Sequence, residues 1–180
     1  MAGLEYRGNR IGLNTGAGTT KLIESSKTLT KGDVVDLTSD VVDVVGAGNP
    51  MFGVVDGFVT KDGRPLQNAV SGTDYDGTYT AGGTGVETYV AAADNETDKQ
   101  VKAVIRQFAP GDLWVALADA AIGTTGVSDE AGGYFDLVAG SDTLDESTYL
   151  TGTVCQFFSH GPDPVKGGNY VIVEAAEVQI

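Results

Sequence analysis

Apolar residues along most of this chain come in short runs cut off by Gly, Asp, Asn, Thr and Pro. Runs of that length bounded by turn residues predict strands rather than helices. The pattern is clearest between Gly111 and Leu137. There, Gly111-Asp112-Leu113-Trp114-Val115-Ala116-Leu117 reads as one apolar strand and Gly132-Gly133-Tyr134-Phe135-Asp136-Leu137 as a second, joined by a small-residue passage through Ile122-Gly123-Thr124-Thr125-Gly126. Alternation on the first strand puts Leu113, Val115 and Leu117 on one face and Trp114 with Ala116 on the other. The leucine and valine face is the expected core. Trp114 is then left either at an interface, where its large area is most useful, or packed on the second side of a two-sided strand.

The same reading extends upstream. Lys31-Gly32-Asp33 is a turn, Val34 to Leu37 and Val41 to Val45 are strands, and Gly46-Ala47-Gly48-Asn49-Pro50 ends the second. Gly53 to Thr60 follows and is closed by Lys61-Asp62-Gly63-Arg64-Pro65, an Asp-Gly hairpin signal. Residues 71–85 are polar and glycine-rich, which predicts a long surface loop or a thin hairpin presenting Tyr75 and Tyr79. Val86 to Ala92 is the next strand. Val101, Val104, Ile105 and Phe108 keep helical spacing while Val101, Ala103 and Ile105 alternate; Pro110-Gly111 directly beyond favours the strand.

Toward the end, Asp142-Thr143-Leu144-Asp145-Glu146-Ser147 is a turn and Tyr149 to Phe158 a strand. The prolines of Gly161-Pro162-Asp163-Pro164 exclude both helix and ladder there, so that segment and Lys166-Gly167-Gly168-Asn169 read as a connection. Tyr170 to Ile180 carries Val171, Val173 and Ala175 on one face, and a break of phase predicts a bulge near Glu174-Ala175. An apolar strand of this kind needs an edge partner, in the same sheet or on another subunit. The fold class expected is all-β, an antiparallel β-barrel or β-sandwich with Gly-rich loops.

Residues 1–27 break the pattern. They hold Arg7, Arg10, Lys21 and Lys27 against Glu5 and Glu24, with Gly12, Gly16 and Gly18 among few bulky side chains. One reading is an extended N-terminal arm (1–27), ordered against a neighbour and preceding a domain at 28–180; the other is an ordinary first strand. On the arm reading Tyr6, Arg7, Arg10, Ile11, Leu13 and Lys21 are the contact candidates, and deleting the segment should leave folding intact.

Composition supports strands and turns: 26 of 180 residues are glycine, about twice the roughly 7% of average usage, and each glycine inside a helix costs about 1 kcal/mol against alanine. With 25 acidic and 11 basic side chains the net charge is -14, which repels phosphate backbones and anionic lipid and argues against direct nucleic-acid or membrane binding. The single cysteine, Cys155, sits in an apolar run and reads as an inert buried thiol in a reducing compartment. Met1 to Arg7 has no apolar signal region and no apolar run reaches membrane-spanning length, so a soluble chain is expected.

No constellation for chemistry emerges. Asn14-Thr15-Gly16-Ala17-Gly18-Thr19-Thr20-Lys21 lacks the spacing of a phosphate loop, and Asp74-Tyr75-Asp76-Gly77 begins like a calcium loop but lacks its third ligand and closing Glu, so it reads as a solvated turn. His160 is the only histidine and has no neighbouring nucleophile in sequence; Asp33, Asp36, Asp40 and Asp43 fall at intervals of turns and outward strand faces. No enzyme activity, cofactor or metal is expected.

The order Gly111 to Leu117, Gly123-Thr124-Thr125-Gly126, Thr143-Leu144-Asp145-Glu146-Ser147-Thr148, then Gly161-Pro162-Asp163-Pro164 and Gly167-Gly168-Asn169 into Tyr170-Val171-Ile172-Val173-Glu174, resembles head structural proteins of tailed bacteriophages. Lys31-Gly32-Asp33-Val34-Val35 and Gly53-Val54-Val55-Asp56-Gly57 are similar to pieces of small capsid decoration, or cement, proteins. The resemblance implies a β-rich virion protein made in the host bacterial cytoplasm. It would sit on the outside of an icosahedral head, often as a trimer, with an arm gripping the major capsid protein. The alternatives are a tail or head-to-tail component, and a carbohydrate-binding module using Trp114, Tyr75 and Tyr79 as a stacking platform.

Overall fold

The computed structural model describes residues 4–9, 18–46, 51–66, 77–82, 85–109, 111–119, 134–138, 143–145, 157–166 and 168–175. Within them the chain is built from β-strands and one short π-helical turn, Asn95–Lys99. Five strands close a barrel in the order β2 (Thr19–Ile23), β5 (Val41–Val44), β4 (Val34–Thr38), β6 (Gly53–Val59) and β9 (Lys102–Gln107), which returns to β2. All barrel pairings are antiparallel except β2 with β5. A three-stranded sheet, β3 (Thr28–Thr30), β8 (Gly85–Ala91) and β7 (Gly77–Gly82), adds Leu29, Val86, Tyr89 and Ala91 to the barrel core. The 71–85 stretch thus contains one strand of a hairpin, and the Val101 to Phe108 segment is strand, as its alternation predicts.

The third sheet has six strands in the order β1 (Glu5–Asn9), β10 (Asp112–Leu117), β14 (Tyr170–Ala175), β13 (Phe157–Pro162), β11 (Tyr134–Leu137) and β12 (Leu144–Asp145). Its inner face supplies Trp114, Ala116, Phe135, Phe157, Val171 and Val173 to a second hydrophobic core. On β10 the face carrying Trp114 and Ala116 enters this core, while on the face expected to be core Val115 is buried and Leu113 and Leu117 are half-buried, so the strand is two-sided and Trp114 packs on its second side. What decides the matter is cross-strand register, which sets Trp114 opposite Val173 and Ala116 opposite Val171.

β4 and β6 join the two cores. Val34 and Val54 point to the sheet side and Val35 and Val55 to the barrel interior, so both strands are buried on both faces. Asp36, expected on an outward face, is buried at the end of this wall. Gly53 lies where β6 is pinched between β4 and β9. A Cβ there would stand 2.5 Å from the Arg106 carbonyl oxygen and 2.6 Å from Ile105 Cγ2, so only glycine fits.

The π-helical turn was not foreseen, and one buried side chain anchors it. Asn95 donates through Nδ2 to the carbonyls of Ile23 (2.7 Å) and Val101 (3.1 Å) and accepts from the Val101 N–H (2.9 Å). Asn95 thus ties the turn to backbone groups at the ends of β2 and β9, of which the Val101 carbonyl also accepts the Ile23 N–H at 3.3 Å.

Three further expectations change. Of residues 1–27, Glu5–Asn9 and Thr19–Ile23 are strands of the two large sheets, so the ordinary-strand reading describes these stretches better than an arm does. Pro162 does stand in a ladder, opposite Val171. The next residue, Asp163, donates its N–H to the Tyr170 carbonyl at 2.8 Å, which makes Pro162 a non-hydrogen-bonded position whose missing N–H is not required. The bulge expected near Glu174-Ala175 lies on the facing strand instead: between Ser159 and Gly161 the register shifts and His160 is the extra residue.

Deleting residues 1–27 removes a barrel strand and the fully buried Ile23, and is expected to abolish the cooperative thermal transition followed by circular dichroism. Gly53→Ala is expected to lower unfolding stability by about 1–3 kcal/mol in urea titrations, the range for overpacking, whereas Gly63→Ala, at a turn with open space around it but φ +79°, tests backbone strain alone.

Candidate functional site

The expected contact residues separate. Tyr6 and Trp114 meet edge to face, 5.3 Å between ring centres, and Trp114 is only 2% exposed, so its indole is core and not a free stacking surface. Lys21 lies on β2, paired with Asp40 at 3.0 Å and 5.9 Å above the Phe52 ring. Arg10, Ile11, Leu13, Tyr75 and Cys155 lie outside the described residues, as does most of the acidic 74–77 loop; Tyr79 is on β7, with its side chain outside the description.

Where β1 crosses the barrel wall, the backbone leaves a cleft of about 290 Å³. Its floor and apolar sides come from Leu4, Val54, Val55 and Trp114, and its rim from Glu5, Tyr6, Lys31, Asp56, Arg106 and Lys166. Backbone bonds fix the geometry: the Leu4 N–H donates to Gly32 (3.2 Å) and the Gly32 N–H to Val55 (2.9 Å), holding the Thr30–Asp33 turn against β6. That turn is closed by Asp33, whose carboxylate accepts the Thr30 N–H at 2.7 Å, with Gly32 at φ +96°.

Three cations and two carboxylates face this cleft in a chain of net charge -14. Lys166 bonds Glu5, and this contact lowers the Glu5 carboxyl below its usual value. Arg106 stacks 4.6 Å above the Tyr6 ring and reaches Asp56 at 3.4 Å, longer than the 2.7–2.9 Å of a strong charge-assisted bond. Among the described residues Lys31 has no ion-pair partner. Buried in the wall, Trp114 Nε1 is a donor without an acceptor among the described residues.

Beside the cleft, Arg7 leaves the β1 ladder at a register shift and bonds Asp163 at 2.7 Å. Asp163 is buried, and its carboxyl is held below the ordinary carboxylate range first by the Val165 N–H (2.8 Å), against the opposing effect of burial, and further by Arg7. On the outer face of the six-stranded sheet, Tyr134, Phe158 and His160 form an edge-to-face row, with His160 Nε2 3.1 Å from Glu174. Glu174 also accepts the Gly111 N–H at 2.9 Å. Among the described residues no group of three His, Cys, Asp or Glu side chains is placed to hold a metal ion, and no helix is long and apolar enough to cross a membrane.

Sequence reasoning missed Lys31, Asp56, Arg106 and Lys166 as one group. A local signal did exist for part of it. Arg7-Gly8, Asp56-Gly57 and His160-Gly161 are each a polar residue followed by glycine inside a strand, and each is a bulge where the polar residue is the extra one.

Because the folded-state Asp163 carboxyl is depressed, its contribution to stability is present above the unfolded value and is lost as pH falls through the folded one. Asp163→Asn is therefore expected to unfold at lower urea concentration than the parent at pH 7, with the gap narrowing below about pH 4. A gap that stays constant from pH 7 to the acid limb would show that the charge is not the cause. The chain matches no protein-family model, no curated protein and no solved structure.

Proposed function

We propose that the chain is a structural virion protein that binds the outside of a tailed-bacteriophage head and stabilises the major capsid protein lattice. The observation that carries the reading is where the resembling segments fall. Lys31 to Val35 and Gly53 to Gly57, the stretches similar to decoration proteins, are neighbours in the barrel and form the wall shared by both hydrophobic cores. These two pieces of the resemblance are thus among those that hold the fold together.

Physically the role is multivalent clamping: each copy buries a modest interface and bridges several shell subunits, so that separating them breaks several contacts at once. A trimer suits a capsomer junction. Since β1 and β2 are built into the sheets, the gripping segment of the sequence reading narrows to the connection between them, with Arg10, Ile11 and Leu13 as its contact candidates. A carbohydrate platform is less well supported, because Trp114 is enclosed.

Purified protein mixed with mature and immature heads lacking it, then pelleted, is expected to bind the mature lattice saturably and to raise the temperature at which those heads break open. Absence of binding to both kinds of head would rule the proposal out.

A further inference from the structure

The cleft under β1 has a charge arrangement that neither folding nor the proposed capsid role requires. Two of its cations are already compensated: Lys166 by Glu5, and Arg106, loosely, by Asp56. Lys31 has no ion-pair partner among the described residues, which leaves one positive charge of the rim unmatched there, at the mouth of an apolar-walled cleft. In a chain of net charge -14, an uncompensated lysine has many possible carboxylate partners; here the turn that carries it is bonded to Leu4 and Val55 and keeps it at the cleft. Beneath the same wall lies the unpartnered Trp114 Nε1–H, a buried donor of the kind that native folds usually match.

We infer that the cleft is a binding site for a carboxylate attached to a small apolar body. A monoanion matches the single unmatched charge, whereas a phosphate dianion would be repelled by Glu5 and Asp56 on the same rim. Arg106 lies over the Tyr6 ring, 4.6 Å from its centre, and is 3.4 Å from the Asp56 carboxylate, which is itself more than half exposed, so an incoming carboxylate can take over one edge of the guanidinium. The volume, about 290 Å³, is at the lower end for small-molecule sites, and suits a small organic acid or one acidic side chain of a protein partner. This inference is independent of whether the chain binds a capsid.

The chain contains a single tryptophan, and it is in the cleft wall, so all tryptophan fluorescence comes from a residue lining this site. Four probes are titrated: benzoate, benzamide, a short acetylated and amidated peptide carrying one Glu, and the same peptide with Gln. Saturable change with benzoate or the Glu peptide, and at least about tenfold weaker binding of the matching neutral probe, is the expected result, since a hydrogen bond to a charged group is worth that factor or more. Stronger binding of benzoate points to a free acid, and of the Glu peptide to a protein side chain. Lys31→Met should weaken the carboxylate by a similar factor while Lys61→Met, at an exposed turn elsewhere, should not. The inference is overturned if neither carboxylate gives a saturable change, if the neutral probes bind equally well, or if a folded Lys31→Met protein binds unchanged.

Discussion

The contact on which the rest of the molecule depends is the pairing of β4 with β6. Val34 stands opposite Val54 and Val35 opposite Gly53. Because side chains alternate, one pair faces the six-stranded sheet and the next the barrel interior, so two cores share a single wall one residue thick. Valine occupies both faces, and so hydrophobicity alone does not fix the register: a slip by one residue would exchange one valine set for the other. Two other features fix it. Gly53 is the one residue that can sit in the pinch against Arg106 and Ile105, and Asp33 and Gly32 exchange backbone bonds with Val55 at 2.9 Å each.

Bulges then place the polar groups. On β6 the extra residue Asp56 restores the phase, so that Val55 and Phe58, three positions apart, both reach the barrel core while the carboxylate turns out toward Arg106. Glu87 does the same on β8, letting Val86 share a face with Tyr89 and Ala91. Arg7 and His160 are turned out of the third sheet toward Asp163 and Glu174. An unbulged strand would carry these charges into an apolar face or lose a core residue, so the irregularities serve packing and charge placement together.

Much of the strand content was legible in the sequence because many strands are local apolar runs bounded by turn chemistry, as with Val34 to Leu37 or β6 before the Asp62-Gly63 turn. What was not legible was long-range. Trp114 sits between two leucine-and-valine neighbours that look more like core, and its burial follows from Tyr6, Phe108 and Val173, which are remote in sequence. Residues 1–27 looked like an arm because β1 and β2 are short and belong to different sheets. The cleft gathers side chains from β1, a turn, a bulge, β9 and the loop before β14, and no spacing rule connects them. Asn95 was equally hidden, since its partners are backbone atoms.

The order of strands in the six-stranded sheet also governs assembly of the chain in time. β2 through β9 form one continuous stretch of sequence and can close on themselves as they are made, but β1 pairs with β10, and β10 pairs with β14. The earliest strand therefore waits for a partner beginning at Asp112, and that partner's other edge stays open until Tyr170 to Ala175 has been synthesised. Loop-closure entropy makes such distant pairings the slow steps. Until they form, the outward valines Val34 and Val54 of the finished barrel are bare, a sticky surface that a chaperone or a crowded neighbour would meet first.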